Sequence, residues 1–299
     1  MKILIVGGTG MIGIHTAAHL RGLGHEVTLG ARRAPATGTL AAEFPMLLGD
    51  YTQGDLTAAD LAPFDAIVFS AGNDIRHIGP ADDRAEFWRR TQIEGVPNFI
   101  ALARAAGVPR VVHLGSYYHQ VMPHLVDTDD YVRARALADE GARALATPDF
   151  NVSTLNPPSI VGIVPGTKVP RYTTLIAYAR GELDVPVFAP LGGTNYMSVR
   201  SLAQAISGAL RNAESGRAYL IGDENLSYRD YFQLFFDAVG NPHQLEARDE
   251  DHPLLPLAYM IPGRNSVLAY EPDAQETAML GYARGDVRRA LDEIVAAHG

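Results

Sequence analysis

Cysteine is absent from this chain of 299 residues, which excludes disulfides, thiolate nucleophiles, thiolate-held zinc and iron–sulfur clusters. Redox chemistry would therefore need a borrowed cofactor. Lysine is nearly absent too: Lys2 and Lys168 are the only two, and arginine carries the remaining positive charge. Basic groups are outnumbered, 25 Lys and Arg against 34 Asp and Glu, and a net charge of −9 has the wrong sign for coating a phosphate backbone. Nucleic acid is not an expected partner. No run of about 18 apolar residues occurs, so no transmembrane helix or membrane partner is expected, and the cytoplasm is the expected location. The opening Met1-Lys-Ile-Leu-Ile-Val6 is too short for a signal-peptide core and reads as a buried strand.

What remains is ordinary for a globular chain, 47% hydrophobic and 20% charged. Short apolar runs at 3–6, 26–29, 46–48, 66–69, 110–114 and 152–155 read as six strands. Between them, 16–22, 86–106 and 131–145 carry apolar residues at helical spacing, the alternation of βαβ units in a parallel sheet. After Asn156-Pro-Pro158 prolines break up a loop-rich stretch, and helical patterns return at 201–212, 228–239 and 286–297. These predict a dinucleotide-binding domain over 1–164 and a smaller substrate-binding part over 165–299, with interleaving allowed. The fold class is α/β: a doubly wound parallel sheet with a smaller C-terminal α/β subdomain.

Strand one runs into Gly7-Gly-Thr9-Gly10-Met11-Ile12-Gly13 and then a helix. Gly7 permits the tight turn, Gly10 lets a pyrophosphate approach the backbone, and Gly13 lets the helix pack closely on the strand. The helix N-terminus faces the phosphates, so the Gly7–Gly13 loop, with Thr9, Met11 and Ile12, is the expected Rossmann-type dinucleotide cradle. At the end of strand two, where a carboxylate would hold the adenosine ribose, the chain reads Gly30-Ala-Arg32-Arg33. Two guanidinium groups suit a 2′-phosphate, which points to NADP, with NAD as the alternative.

These residues resemble the short-chain dehydrogenase/reductase superfamily in its extended or atypical branch, the NAD(P)-dependent epimerase/dehydratase family, over nearly the whole chain. The resemblance implies that Asp50-Tyr51 touches adenine, with Asp55-Leu56 as a less well spaced rival. It implies that Ser70-Ala71-Gly72 lines the cofactor ribose, and that Pro157, Ser159 and Ile160, within Thr154-Leu-Asn-Pro-Pro-Ser-Ile-Val-Gly162, lie beside the nicotinamide. Val111-Val-His-Leu-Gly-Ser116 resembles the strand ending in the active-site serine. Tyr131-Val-Arg-Ala-Arg135 occupies the place of the family's Tyr-x-x-x-Lys, with the lysine replaced. Ser116, Tyr131 and Arg135 are thus the implied catalytic residues, and Arg135 also the implied ribose contact. Tyrosine's ordinary pKa is near 10, and a neighbouring cation helps it act near neutral pH. Arg135 can supply that charge but does not readily lose a proton.

Further departures are Val6 for threonine, Gln92 for asparagine and Asn156 for arginine. Tyr117 and Tyr118 line the substrate pocket, stand in for Tyr131 or pack, and packing is the commoner role of such loop aromatics. His113, His119 and His124 lack a His-x-x-x-His pair and flanking carboxylates, so no metal site is expected. The Gly115-Ser116 context lacks a nucleophile elbow, and Gly162 to Lys168 lacks Walker A spacing. Asp127, Asp129 and Asp130 read as a cap on the Tyr131 helix.

The leading expectation is an NADP-dependent oxidoreductase acting on a carbonyl or secondary alcohol of a small organic molecule. The alternatives are an NAD-dependent sugar-nucleotide epimerase or dehydratase, and a non-catalytic NADP-binding sensor or assembly protein. A small-molecule substrate is the expected partner, and the family's pairing through two long helices makes a homodimer the analogy for assembly.

Overall fold

Ile3, Leu4 and Ile5 are wholly buried, as expected of a central strand covered on both faces of a parallel sheet. The computed structural model describes residues 1–298. Its elements begin with β1 (Lys2–Val6), α1 (Met11–Gly22), β2 (Glu26–Ala31), β3 (Met46–Leu48), α2 (Ala58–Leu61), β4 (Ala66–Phe69), α3 (Arg84–Trp88) and α4 (Gly95–Ala105). Next come β5 (Arg110–Leu114), α5 (Tyr118–Val121), α6 (Leu125–Thr128), α7 (Asp130–Arg143), β6 (Asn151–Asn156), β7 (Ser159–Val161), α8 (Pro170–Ala179), β8 (Ala189–Pro190) and β9 (Gly193–Ser198). The rest are α9 (Val199–Asn212), β10 (Ala218–Leu220), β11 (Glu224–Ser227), α10 (Tyr228–Ala238), β12 (Ala247–Arg248), β13 (Val267–Leu268), α11 (Ala274–Leu280) and α12 (Val287–His298).

The chain divides into two units. The first comprises Met1–Pro157, Arg200–Ile221 and Asp273–Tyr282; the second comprises Pro158–Val199, Gly222–Pro272 and the stretch from Ala283. The first holds a parallel sheet ordered β10-β6-β5-β4-β1-β2-β3. The strand order reverses at β1, which pairs with β2 on one side and β4 on the other, and such a switch point opens a crevice at the strands' carboxyl ends. One face of the sheet is sealed by Val96, Phe99, Ile100 and Ala103 of α4 and by Ala138 and Ala142 of α7, packed with Leu4, Ile67, Val111 and Val152.

Three features differ from the sequence expectation. A seventh strand, β10, beyond the six that the apolar runs predict, pairs Ala218 with Thr154 and Leu220 with Asn156. Together with most of α9 it belongs to the first unit. The single helix expected over 86–106 is interrupted by a π-helical turn, Arg89–Ile93, between α3 and α4. Pro97 has no N–H to offer the Ile93 carbonyl, the Glu94 N–H reaches the Arg89 carbonyl at 2.9 Å, and Gly95 lets the Arg90 oxygen come within 2.1 Å of where a Cβ would stand. Finally, the stretch that had read as loop holds α8, with Pro170 in its first turn where the missing N–H costs nothing.

In the second unit β9 pairs with β11 antiparallel and with β7 and β13 in parallel, while β8 pairs with β12. Its core is aromatic: Tyr172 and Tyr178 of α8 and Tyr231, Phe232, Phe235 and Phe236 of α10, closed by Leu291 and Ile294 of α12. No described helix is long and apolar enough to cross a membrane.

Candidate active site

The loop after β1 is shaped by what a side chain would strike. Gly7 has φ +79°, and a Cβ there would meet the Ala71 nitrogen at 2.8 Å; one on Gly13 would meet the Gly7 oxygen at 2.4 Å. The Gly7 and Gly8 N–H groups both donate to the Gly30 carbonyl, at 2.9 and 3.1 Å, which pins the loop to the end of β2. Gly10, by contrast, is exposed, and a Cβ there would approach only the Gly7 oxygen, at 3.3 Å. It caps α1 without any side-chain hydrogen bond, and the first turn of α1 holds no acidic residue. Backbone donors at Met11, Ile12 and Gly13 are thus left facing an open cradle, a fit for a dinucleotide pyrophosphate.

Around this loop the structure gathers several of the expected residues. The Ser70 N–H and hydroxyl both donate to the Val6 carbonyl, at 2.9 and 2.8 Å, and Ala71 presses on Gly7. Arg32 and Arg33 are exposed just past β2 and make no hydrogen bond or ion pair among the described residues. Asp50 caps its own turn, accepting from the Thr52 N–H and hydroxyl, while Asp55 accepts from the Asp50 N–H. The Tyr51 ring is turned into the core against Phe69 and Phe99. Its hydroxyl donates to the Thr91 carbonyl at 2.8 Å, and burial pushes it above the ordinary phenol range. Pro157 ends the first unit's long segment, whereas Ser159 and Ile160 lie on β7, a separate strand of the second unit.

The corner between β5 and α7 is made of side chains. Tyr131, Arg135, Asp139 and Arg143 recur every four residues on α7, so they share one face. Asp129 caps the helix, accepting from the Val132 N–H at 2.9 Å. Tyr131 is half-buried between Trp88, 5.4 Å away, and Tyr118, edge-on at 6.1 Å, and its hydroxyl has no hydrogen bond among the described residues. Ser116, two residues before Tyr118, is 6% exposed, and its hydroxyl has no hydrogen bond among the described residues.

Arg135 is buried, and its fork is largely spent. Nη2 donates to the Leu114 carbonyl at 2.8 Å and to the Gly115 carbonyl, and Nη1 donates to Gln92 Oε1 at 3.3 Å, while Nε has no acceptor. Gln92, delivered by the π-helical turn, donates in turn to the Asn73 carbonyl, and Asn73 donates to the Tyr51 hydroxyl. Nη1 lies 3.8 Å from where a Gly72 Cβ would stand, so one end of the guanidinium faces the segment after β4.

One turn further along α7, Asp139 is 1% exposed and accepts from His119 Nε2 at 3.0 Å, Arg143 Nε at 2.7 Å and Asn156 Nδ2 at 3.3 Å. Burial alone would raise its pKa; the hydrogen bonds from His119 and Arg143 outweigh that and hold it well below the usual carboxylate range. Asn156 also donates to Gln120 Oε1 at 2.8 Å, and its own oxygen would lie 1.9 Å from a Cβ on Gly115. The Ser116 loop is therefore clamped by Arg135 through the Gly115 carbonyl and by Asn156 against the Gly115 α-carbon. His113 is core: it pairs with the Thr154 hydroxyl at 3.2 Å, and burial, aided by the Arg135 charge, pushes it down to about 3. Sequence reasoning passed over Asp139 and Trp88, though the four-residue repeat through Asp139 and Arg143 was there to be read.

The profile of the NAD dependent epimerase/dehydratase family matches residues 3–222. A 3-beta-hydroxysteroid dehydrogenase of Mycolicibacterium neoaurum is 30% identical over 118 residues, 38% of this chain and 32% of that protein. A putative dihydroflavonol 4-reductase of Synechocystis sp. is 22% identical over 80% of this chain and 72% of that protein. Among solved structures, the Bordetella bronchiseptica enzyme WbmG in complex with NAD superposes with a TM-score of 0.74 at 18% identity, covering 99% of this chain and 93% of that one.

Proposed function

The chain belongs to the NAD dependent epimerase/dehydratase family, and from that premise we propose that it is an NADP-dependent oxidoreductase acting on a carbonyl or secondary alcohol of a small organic molecule. The observation that carries this reading is the Arg32–Arg33 pair: two exposed guanidinium groups without acceptors among the described residues, at the strand end to which the glycine loop is tied through the Gly30 carbonyl. A 2′-phosphate gives them bidentate partners; an unphosphorylated ribose does not. The nicotinamide dinucleotide supplies or accepts the hydride when bound.

In the reducing direction the Tyr131 hydroxyl gives its proton to the carbonyl oxygen, and the Ser116 hydroxyl donates a hydrogen bond to that same oxygen, holding it for the transfer. Neither hydroxyl has a hydrogen-bond partner among the described residues, which leaves both available to a substrate oxygen. Arg135 holds fixed positive charge on the Tyr131 face of α7 and also braces the Ser116 loop through the Gly115 carbonyl. It serves as field and brace, not as a relay, because a guanidinium keeps its proton. The second Nη1 hydrogen, at the end of the guanidinium facing Gly72, suits a ribose hydroxyl.

Calorimetric titration with NADPH, NADP+, NADH and NAD+ in one buffer tests the reading. The expected result is a preference for the phosphorylated pair, which falls roughly tenfold or more in Arg32→Ala and again in Arg33→Ala while NADH binding stays unchanged. A preference for NAD+ or NADH puts the sugar-nucleotide epimerase or dehydratase reading first. The commitment of Arg135 to the Leu114 and Gly115 carbonyls favours one further reading, an NADP-binding protein without turnover. Tyr131→Phe separates the two: loss of turnover supports the enzyme, and absence of turnover in both forms with intact NADPH binding supports the binder.

A further inference from the structure

Five aromatic rings of the first unit form a continuous wall through Tyr131. Phe87 meets Trp88 at 4.9 Å between ring centroids, Trp88 meets Tyr131 at 5.4 Å, Tyr131 meets Tyr118 at 6.1 Å and Tyr118 meets Tyr117 at 4.3 Å. Phe87, Trp88 and Tyr117 are buried and back the wall; Tyr118 and Tyr131 are half-buried and present ring area beside the Tyr131 hydroxyl. Such a surface takes flat apolar rings by offset or edge-on stacking.

The charges around it point the same way. Exposed carboxylates border both helices that carry the wall: Asp82, Asp83 and Glu86 at the start of α3, and Asp127 and Asp130 at the start of α7. Both N-termini, which would otherwise attract an anion, are capped by aspartates, Asp83 accepting from the Ala85 N–H and Asp129 from the Val132 N–H. The cations on the same elements are already held: His119 and Arg143 by Asp139, Arg133 by Asp130 and two carbonyls, and Arg135 by Gln92 and two carbonyls. Arg84, exposed at the first residue of α3, and Arg90, exposed just past its end, have no such acceptor among the described residues. A diphosphate brought here meets a rim of five carboxylates against two unheld arginines, Arg84 and Arg90; a neutral ring meets a stack of aromatic faces.

We infer that the substrate is a neutral aromatic carbonyl compound, or the corresponding alcohol, and not a nucleotide-diphosphate sugar. This rests on Tyr131 being the acid/base proposed above, since the wall is defined by that ring. It also gives Tyr118 a role as a specificity-determining residue, the ring that substrate stacks on beside the reacting oxygen.

The test is calorimetry on the full chain saturated with the oxidised dinucleotide that binds it, using three probes: 1-indanone, cyclohexanone and UDP-glucose. The expected result is saturable binding of 1-indanone, clearly weaker binding of cyclohexanone and none of UDP-glucose. Tyr118→Ala lowers 1-indanone affinity roughly tenfold and leaves dinucleotide affinity unchanged, with Tyr118→Leu as the milder variant should the first not fold. UDP-glucose binding as tightly as 1-indanone, 1-indanone binding no better than cyclohexanone, or a Tyr118 variant that leaves 1-indanone affinity intact would each overturn the inference. If no dinucleotide binds, the cofactor reading fails by itself. The 1-indanone titration of the chain alone, with and without the Tyr118 substitution, then decides the wall separately.

Discussion

At the end of β1 the site is made of backbone, whereas at the corner of β5 and α7 it is made of long side chains that hold one another. In the first region Gly7, Gly8 and Gly13 are needed because a single carbon atom would collide with main chain. In the second, Arg135, Asp139, His119 and Asn156 fill the space between elements, and each depends on partners from a different part of the chain. A backbone site admits almost no variation. In a side-chain site the partners hold one another, as Arg135 Nη1 and Gln92 Oε1 do at 3.3 Å.

The sharpest way to break the first region is Gly13→Val. Its Cβ alone would lie 2.4 Å from the Gly7 oxygen and 2.6 Å from the Gly8 α-carbon, both backbone atoms that cannot step aside. Dinucleotide affinity should fall on the order of 100-fold or more by calorimetry, while the sheet, and with it the far-ultraviolet circular dichroism, persists.

Next in size is Asp139→Ala, which strands His119, Arg143 and the Asn156 amide around a hole. Breaking a buried ionic cluster by removing one partner costs about 3–5 kcal/mol, to be read from urea unfolding. Asp139→Asn should cost less at neutral pH and alter the pH dependence. Asp139 has a lowered pKa in the fold, so its contribution is complete above the ordinary carboxylate range and is lost as pH falls below about 4. The parent protein should lose that stability in acid, and the asparagine variant should not. His113 contributes in a higher window: held neutral with a pKa pushed down to about 3, it costs stability progressively as pH drops below about 6.5, in both proteins alike.

The smallest effect is expected from Asp129→Ala, which removes the cap of α7 and should cost about 1 kcal/mol in the same unfolding measurement, with dinucleotide binding unchanged.

The difference between the two regions also explains what could be read from the chain beforehand. The glycine loop, the strands from β1 to β6 and the Tyr131 spacing are local patterns, visible because a tight turn, a buried strand or a helix face constrains neighbours in sequence. β10, Ala218 to Leu220, escaped notice because it becomes a strand through pairing with β6, more than 60 residues earlier in the chain. The π-helical turn escaped because helical periodicity continues across it. Asp139 looked like one more helix-surface acid. Its importance comes from His119 and Asn156, 20 and 17 residues away, and no local pattern announces either pairing. Tyr51 was legible as part of a motif, yet its ring faces the core because Phe69, Phe99 and the Thr91 carbonyl receive it there.

Trp88 is the only tryptophan in the chain, and it lies against Tyr131. The protein therefore carries a built-in optical gauge at the point where its chemistry is proposed to occur. Every photon of indole emission comes from one place, so the spectrum needs no deconvolution. A dihydronicotinamide arriving beside Tyr131 absorbs in the band where indole emits and dims it; charge on the tyrosine oxygen quenches it by another route. Excitation of a single residue can then follow cofactor arrival and proton movement in real time, without a label or a known substrate.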